Sequence, residues 1–227
     1  MIDWRTAFAD ATWFHWTGIT PATARGPAEA CLEGVRIAKE VGLVVSCDLN
    51  YRANLWKWGR QAGEVMEEIV SLCDVSIGNE EDAAKVFGIR SPETDMTSGK
   101  VEAEEYAVVC ERLSERFPAL QTIAITLRGS RSASHNTWSG LLWVGGEIFK
   151  GADYDIVPIV DRVGAGDSFV AGLIYAVHAY PGDHQRAIDF AVAASALKHT
   201  IFGDFNLVTA SEVERLMEGD RSGRVRR

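Results

Sequence analysis

Apolar residues recur along this chain in two alternating rhythms, short continuous runs and longer stretches with helical spacing. Trp13-Phe14-His15-Trp16-Thr17-Gly18-Ile19 is aromatic and β-prone, and predicts a strand that ends at Gly18 and Pro21. A helix is predicted over residues 28–40, with Ala30, Leu32, Val35, Ile37 and Ala38 on its apolar face. The run 43–49, closed by Asp48 and Asn50, has the continuous apolar character of a strand buried on both faces of a parallel sheet. A helix over 61–72, a strand over 75–78 and a short helix over 81–87, opened by Asn79 and Glu80, come next. Residues 91–103 are polar, carry Pro92 and Gly99, and predict an exposed insertion before a helix over 104–117. A buried strand over 122–127 is expected to break at Arg128-Gly129-Ser130. Residues 133–149 predict an antiparallel hairpin turning near Ser139-Gly140 or Gly145-Gly146. Helices follow over 167–180 and, rich in alanine, over 185–200. Ser211, with Glu214 three residues on, predicts a capping box on the last helix.

Strands alternating with helices point to crossover units, hence an α/β fold with a doubly wound, mostly parallel sheet. Ligands of such sheets bind outside the C-terminal ends of the strands, and Asn50, Asn79, Arg128 and Gly164 are each predicted just after a strand. The 227 residues suffice for a single well-buried domain, 1–227, with a flexible tail over 219–227. A formal net charge of −9 argues against a nucleic-acid or anionic-membrane partner, and the arginines near the C-terminus are expected to be solvated. Cys31, Cys47, Cys73 and Cys110 are widely spaced in apolar contexts, as for reduced core thiols of a cytoplasmic protein. The aromatic group Trp4, Trp13, Phe14 and Trp16 is expected to pack in the core.

One stretch carries chemistry: Ile159-Val160-Asp161-Arg162-Val163-Gly164-Ala165-Gly166-Asp167-Ser168-Phe169 runs from β-branched residues through a small-residue turn into a predicted helix. A helix start offers free N–H groups and a positive dipole end, which suits an anion. Gly164, Ala165 and Gly166 keep side chains away, so a phosphate can approach the backbone. Beside an anion the carboxylate of Asp167 needs a task, and taking a proton from a hydroxyl that attacks the phosphate is one. A tight turn with Asp167 merely capping the helix is the plainer alternative. The dinucleotide fingerprint is excluded, because Phe169 stands where its third glycine would fall, and no Gly-Lys-Ser/Thr follows to make a P-loop.

Residues 161–169 resemble the D-x-x-G-A-G-D-x-F signature of the ribokinase-like (PfkB) carbohydrate kinases, and Asn79-Glu80-Glu81-Asp82 resembles their N-x-x-E motif. Asp48-Leu49-Asn50-Tyr51-Arg52 with Leu55-Trp56 is similar to the 2-keto-3-deoxygluconate kinases within that family. The resemblance implies a ribokinase-like three-layer α/β/α sandwich, N-terminally truncated. The family has a further N-terminal segment, with a glycine-containing sugar-binding strand and a small β-sheet lid. Its lack here implies an unpaired sheet edge that favours a homo-oligomer. The implied reaction is transfer of the ATP γ-phosphate to a hydroxyl of 2-keto-3-deoxygluconate, with a kinase for a neutral sugar such as fructose, or a non-catalytic nucleotide-binding fragment, left open.

By the same resemblance Asp167 is the catalytic base, and Gly164, Ala165 and Gly166 form the anion hole. Asn50, Asn79, Thr126, Arg128, Gly129 and Ser130 fall at ATP-binding positions, although Arg128 stands where glycine is common. Arg52 would hold the substrate's carboxylate or a phosphate, a grip to which a guanidinium is suited. Asn79 and Asp82 would organise the water shell of Mg2+, with Asp82 a shorter arm than the usual glutamate and Glu81 a substitute. Asp161 and Val163 match positions that bind a monovalent cation such as K+. Lys198 and His199, late in an apolar helix, read as packing residues.

Overall fold

The computed structural model describes residues 2–79, 81–90 and 103–219. Two units are distinguished, residues 1–125 with 143–147, and residues 126–142 with 148–227. Among the described residues no helix is long and apolar enough to cross a membrane. The insertion expected over 91–103 lies outside the described residues except for Ala103, which opens a helix, and so does the tail beyond Gly219.

The first unit opens with a short helix α1 (Trp4–Ala7), capped by the Asp3 carboxylate, and the edge strand β1 (Trp13–Thr17). The Trp4 ring stacks on Phe8 and meets Phe14 edge-on, with centroids 5.4 and 5.7 Å apart, but of the aromatic group expected in the core only Trp16 is buried, while Trp4, Trp13 and Phe14 are half-buried. The chain does not continue as strand beyond Gly18: Ile19–Thr23 forms a helical turn, α2, and α3 (Arg25–Glu40) follows. Strands β2 (Val44–Asp48) and β3 (Val75–Asn79) continue the sheet in parallel, with α4 (Ala62–Val70) between them. Thr17, Asp48 and Ile77 share one row of the register, so the loops after these strands leave from the same end of the sheet. The interior is built from Val35, Val45, Cys47, Ile69, Val70 and Cys73, all essentially without exposure, as continuous apolar runs dictate. After α5 (Asp82–Phe87) and α6 (Ala103–Arg116), strand β4 (Thr122–Ser132) takes its place beside β3.

In the second unit β4 does not break at Arg128. It runs on to Ser132, turns at Ala133 and Ser134, and returns as β5 (His135–Val144). Pairing with β5 overrides the local turn preference of Gly129 and Ser130. One expected turn is present at Gly145-Gly146, between β5 and β6 (Glu147–Lys150), whereas Ser139 and Gly140 lie buried within β5. β7 (Tyr154–Ile156) runs antiparallel to β5. Helices α7 (Ala165–Ala179), α8 (His184–Lys198) and α9 (Ala210–Met217) complete the unit. The alanines of α8 serve close packing: a Cβ on Gly172 of α7 would sit 3.1 Å from the Cα of Ala191 and the Cβ of Ala194. The capping box of α9 is made by Thr209 and Glu212, two residues ahead of the predicted Ser211 and Glu214.

Candidate functional site

Gly164 is not placed directly after a strand. Seven residues separate it from β7, and it serves as the N-cap of α7 in left-handed geometry, φ 78°. The first helical hydrogen bond runs from Ser168 N to Gly164 O at 2.9 Å, and Ala165 N reaches back to Arg162 O at 3.3 Å. Among the described residues the amides of Gly166 and Asp167 have no backbone acceptor, so two adjacent N–H groups stand open at the positive end of a 15-residue helix. The Asp167 side chain is exposed in this first turn, and no side chain caps the helix. The plainer role, a capping carboxylate, is therefore not the one this residue has. What remains is a free carboxylate beside free amides.

The turn is held from behind by groups that the sequence reading did not single out for this role. Ser195 Oγ, buried in α8, donates to Ala165 O at 2.7 Å. Asp161 Oδ1 accepts from Val163 N at 3.0 Å and Oδ2 from Gly203 N at 2.9 Å. These two amide bonds, with the charge of Lys198 adding to them, hold the Asp161 carboxyl below the usual carboxylate range. Arg162 donates to Ser132 O, Ala133 O and Asn136 Oδ1, fastening the approach loop to the β4–β5 hairpin. His199 packs as expected: its ring lies 5.0 Å from that of Trp138, and its Nδ1 is 2.8 Å from Ser195 O. Thr126 is buried, while Arg128, Gly129 and Ser130 follow it along β4, with Arg128 exposed.

The first unit holds a second group of the predicted residues. Asn50, two residues past β2, has φ 37°; its amide donates to Asp48 Oδ1 at 3.1 Å and its Nδ2 to Thr17 Oγ1 at 3.2 Å. Asn79 closes β3, and its Oδ1 accepts from the amides of Glu81 and Asp82 at 2.8 and 3.2 Å. Asp82 is only 2% exposed, and ties two loops together: Oδ2 accepts from Asn79 N at 2.9 Å and Oδ1 from Tyr51 N at 3.2 Å. Burial raises its pKa; the two amide bonds and the charges of Arg52 and Lys85 offset part of that rise. Arg52 is exposed and donates to the carbonyl of Tyr51.

Both Asp82 oxygens and Asn79 Oδ1 are engaged by amides, and Glu81 is ion-paired to Lys85. Among the described residues no three His, Cys, Asp or Glu side chains come together to hold a metal ion. Each Asp82 oxygen keeps a second lone pair for a water, so the contacts are compatible with a role toward the water shell of Mg2+, while Asp82 also ties together the loops after β2 and β3.

The profile of the pfkB family carbohydrate kinases matches residues 2–207. The chain belongs to this family. It is 29% identical over 215 residues to a 2-dehydro-3-deoxygalactonokinase of Haloferax volcanii, covering 94% of this chain and 59% of that protein. A 2-dehydro-3-deoxygluconokinase of Thermoproteus tenax is 31% identical over 212 residues, covering 92% and 55%. The crystal structure of a 2-dehydro-3-deoxygluconokinase from Thermotoga maritima superposes with a TM-score of 0.87 at 41% identity, covering 96% of this chain and 63% of that one. The pfkB family chain described here thus has a ribokinase-like α/β fold with a mostly parallel central sheet, and spans less than two thirds of the length of these relatives.

Proposed function

We propose that the chain carries an ATP-dependent sugar kinase activity that moves the γ-phosphate of ATP to a hydroxyl of 2-dehydro-3-deoxygluconate, the compound also called 2-keto-3-deoxygluconate. The observation that carries this reading is the exposed Asp167 carboxylate in the first turn of α7, next to the open amides of Gly166 and Asp167. Asp167 accepts the proton of the sugar hydroxyl as its oxygen attacks the γ-phosphorus. The bond from that phosphorus to the β–γ bridging oxygen breaks, and ADP leaves. Amides fixed before the reaction stabilise charge on the phosphoryl oxygens without having to reorganise. Gly166, exposed and with nothing within 4 Å of where a side chain would stand, lets the phosphoryl group approach the backbone.

Asn50, Asn79, Thr126, Arg128, Gly129 and Ser130 are assigned to nucleotide binding. Arg52, an exposed guanidinium close enough for its charge to act on Asp82, is assigned to the acid group of the substrate. The Mg2+ that neutralises ATP is taken to arrive with the nucleotide. Cytoplasmic residence fits the buried thiols, and self-association fits the edge strand β1, which pairs with β2 on one side.

A coupled assay of ADP release from ATP and Mg2+ tests the assignment, with 2-dehydro-3-deoxygluconate, 2-dehydro-3-deoxygalactonate and fructose as acceptors. The reading predicts the highest kcat/KM for a 2-dehydro-3-deoxy sugar acid, and a selective loss for that substrate in Arg52→Ala. Preference for fructose would overturn the substrate assignment. ATP binding without turnover on any sugar would overturn the activity.

A further inference from the structure

Lys198, the last residue of α8, is fully buried at 0% exposure, and its Nζ donates to Ile201 O at 3.0 Å. An ammonium removed from water is costly unless polar groups around it compensate. Here the compensating groups belong to the loop that follows α8 and to Asp161. His199 O accepts from Val160 N at 2.8 Å and Asp161 N at 3.3 Å, and Asp161 Oδ2 accepts from Gly203 N. One residue further on, Asp204 O lies against Gly164, so closely that a Cβ there would meet it at 2.0 Å. A continuous set of contacts therefore leads from the buried ammonium, through residues 199–204, to the turn whose amides open α7.

The resemblance placed a monovalent cation at Asp161 and Val163, where a fixed positive charge, that of Lys198, already acts. Both Asp161 carboxylate oxygens are satisfied by amides, and the Lys198 charge acts on the same carboxylate. A second cation would be repelled by a fixed one that cannot leave. An ammonium and a potassium ion offer the same unit charge to carbonyl oxygens. We propose that Lys198 stands in for a bound monovalent ion: it is a positioning residue whose buried ammonium holds residues 199–204 against Gly164, so that the helix start keeps its shape without K+.

The inference rests on the phosphate-binding role of the Gly164 turn, but its test is read without nucleotide or turnover, so the two can fail separately. Thermal melting of the 227-residue protein is followed in potassium, sodium and tetramethylammonium chloride at equal ionic strength, for wild type, Lys198→Met and Lys198→Arg. Wild type is expected to melt at the same temperature in all three salts. Lys198→Met is expected to melt lower in tetramethylammonium and to regain stability saturably with added K+, while Lys198→Arg, which keeps the charge, gains nothing from K+. A saturable rise of the wild-type melting temperature with K+ would overturn the proposal, and the wild-type series stands alone if Lys198→Met does not fold. Equal destabilisation of Lys198→Met in every salt, or none in any, would also overturn it.

Discussion

The α-carbon of Gly164 and the carbonyl oxygen of Asp204 are so close that any Cβ on residue 164 would lie 2.0 Å from that oxygen. Gly164 also has φ 78°, so its lack of a side chain is required twice over. Gly164→Ala carries a backbone cost of about 1–2 kcal/mol and must also displace the loop at Asp204. Gly42→Ala is the control, since Gly42 has φ 84° with nothing within 4 Å of its virtual Cβ. Urea unfolding should show a larger loss for Gly164→Ala than for Gly42→Ala, and only the former should lower ATP affinity. Equal losses would mean that the 204 contact does not shape the turn.

Asp82 holds the loops after β2 and β3 with one oxygen each. Asp82→Asn keeps the shape but turns an NH2 toward one of the two donating amides, leaving it unsatisfied. A loss of roughly 1–3 kcal/mol is expected for a buried donor without its acceptor, read as a lower urea midpoint with an unchanged slope. An unchanged midpoint would show that the carboxylate is not the tie.

The thiols carry a pH prediction. Burial pushes the Cys31 and Cys110 thiols from an ordinary 9.0 up to about 12. Because the folded values are raised, these groups contribute stability that is fully present below the unfolded value near 9 and is lost as pH rises toward about 12. Melting temperatures should therefore fall through the alkaline range. At pH 8 the thiolate is scarce and shielded, so iodoacetamide should label the native protein slowly and all four cysteines after unfolding. Rapid labelling of native Cys31 or Cys110 would contradict the burial.

The sheet of parallel strands and the Gly164 turn could be read from the sequence, because continuous apolar runs and a glycine-rich helix start are local signals. The continuation of β4 through Arg128, Gly129 and Ser130 was not legible, since only the returning strand β5 makes a turn-prone sequence extended. The capping box was read at Ser211 and Glu214, and only the position of the first helical residue, Ala210, selects Thr209 with Glu212. The N-x-x-D spacing was visible, but not that Asp82 points inward to two amides. Ser195 and Lys198 gave a faint signal as polar residues in an alanine-rich helix. Their partners, Ala165 O and Ile201 O, depend on how the chain folds back.

The most direct test of the central claim sets turnover against nucleotide binding in Asp167→Asn. Removal of a general base predicts a fall in kcat of roughly 10²–10⁴-fold, with ATP affinity by calorimetry kept or raised, because a negative charge beside the phosphate is gone. Turnover close to that of the parent protein would contradict the assignment of Asp167 as the base, and loss of ATP binding together with turnover would show that the residue builds the site without carrying its chemistry.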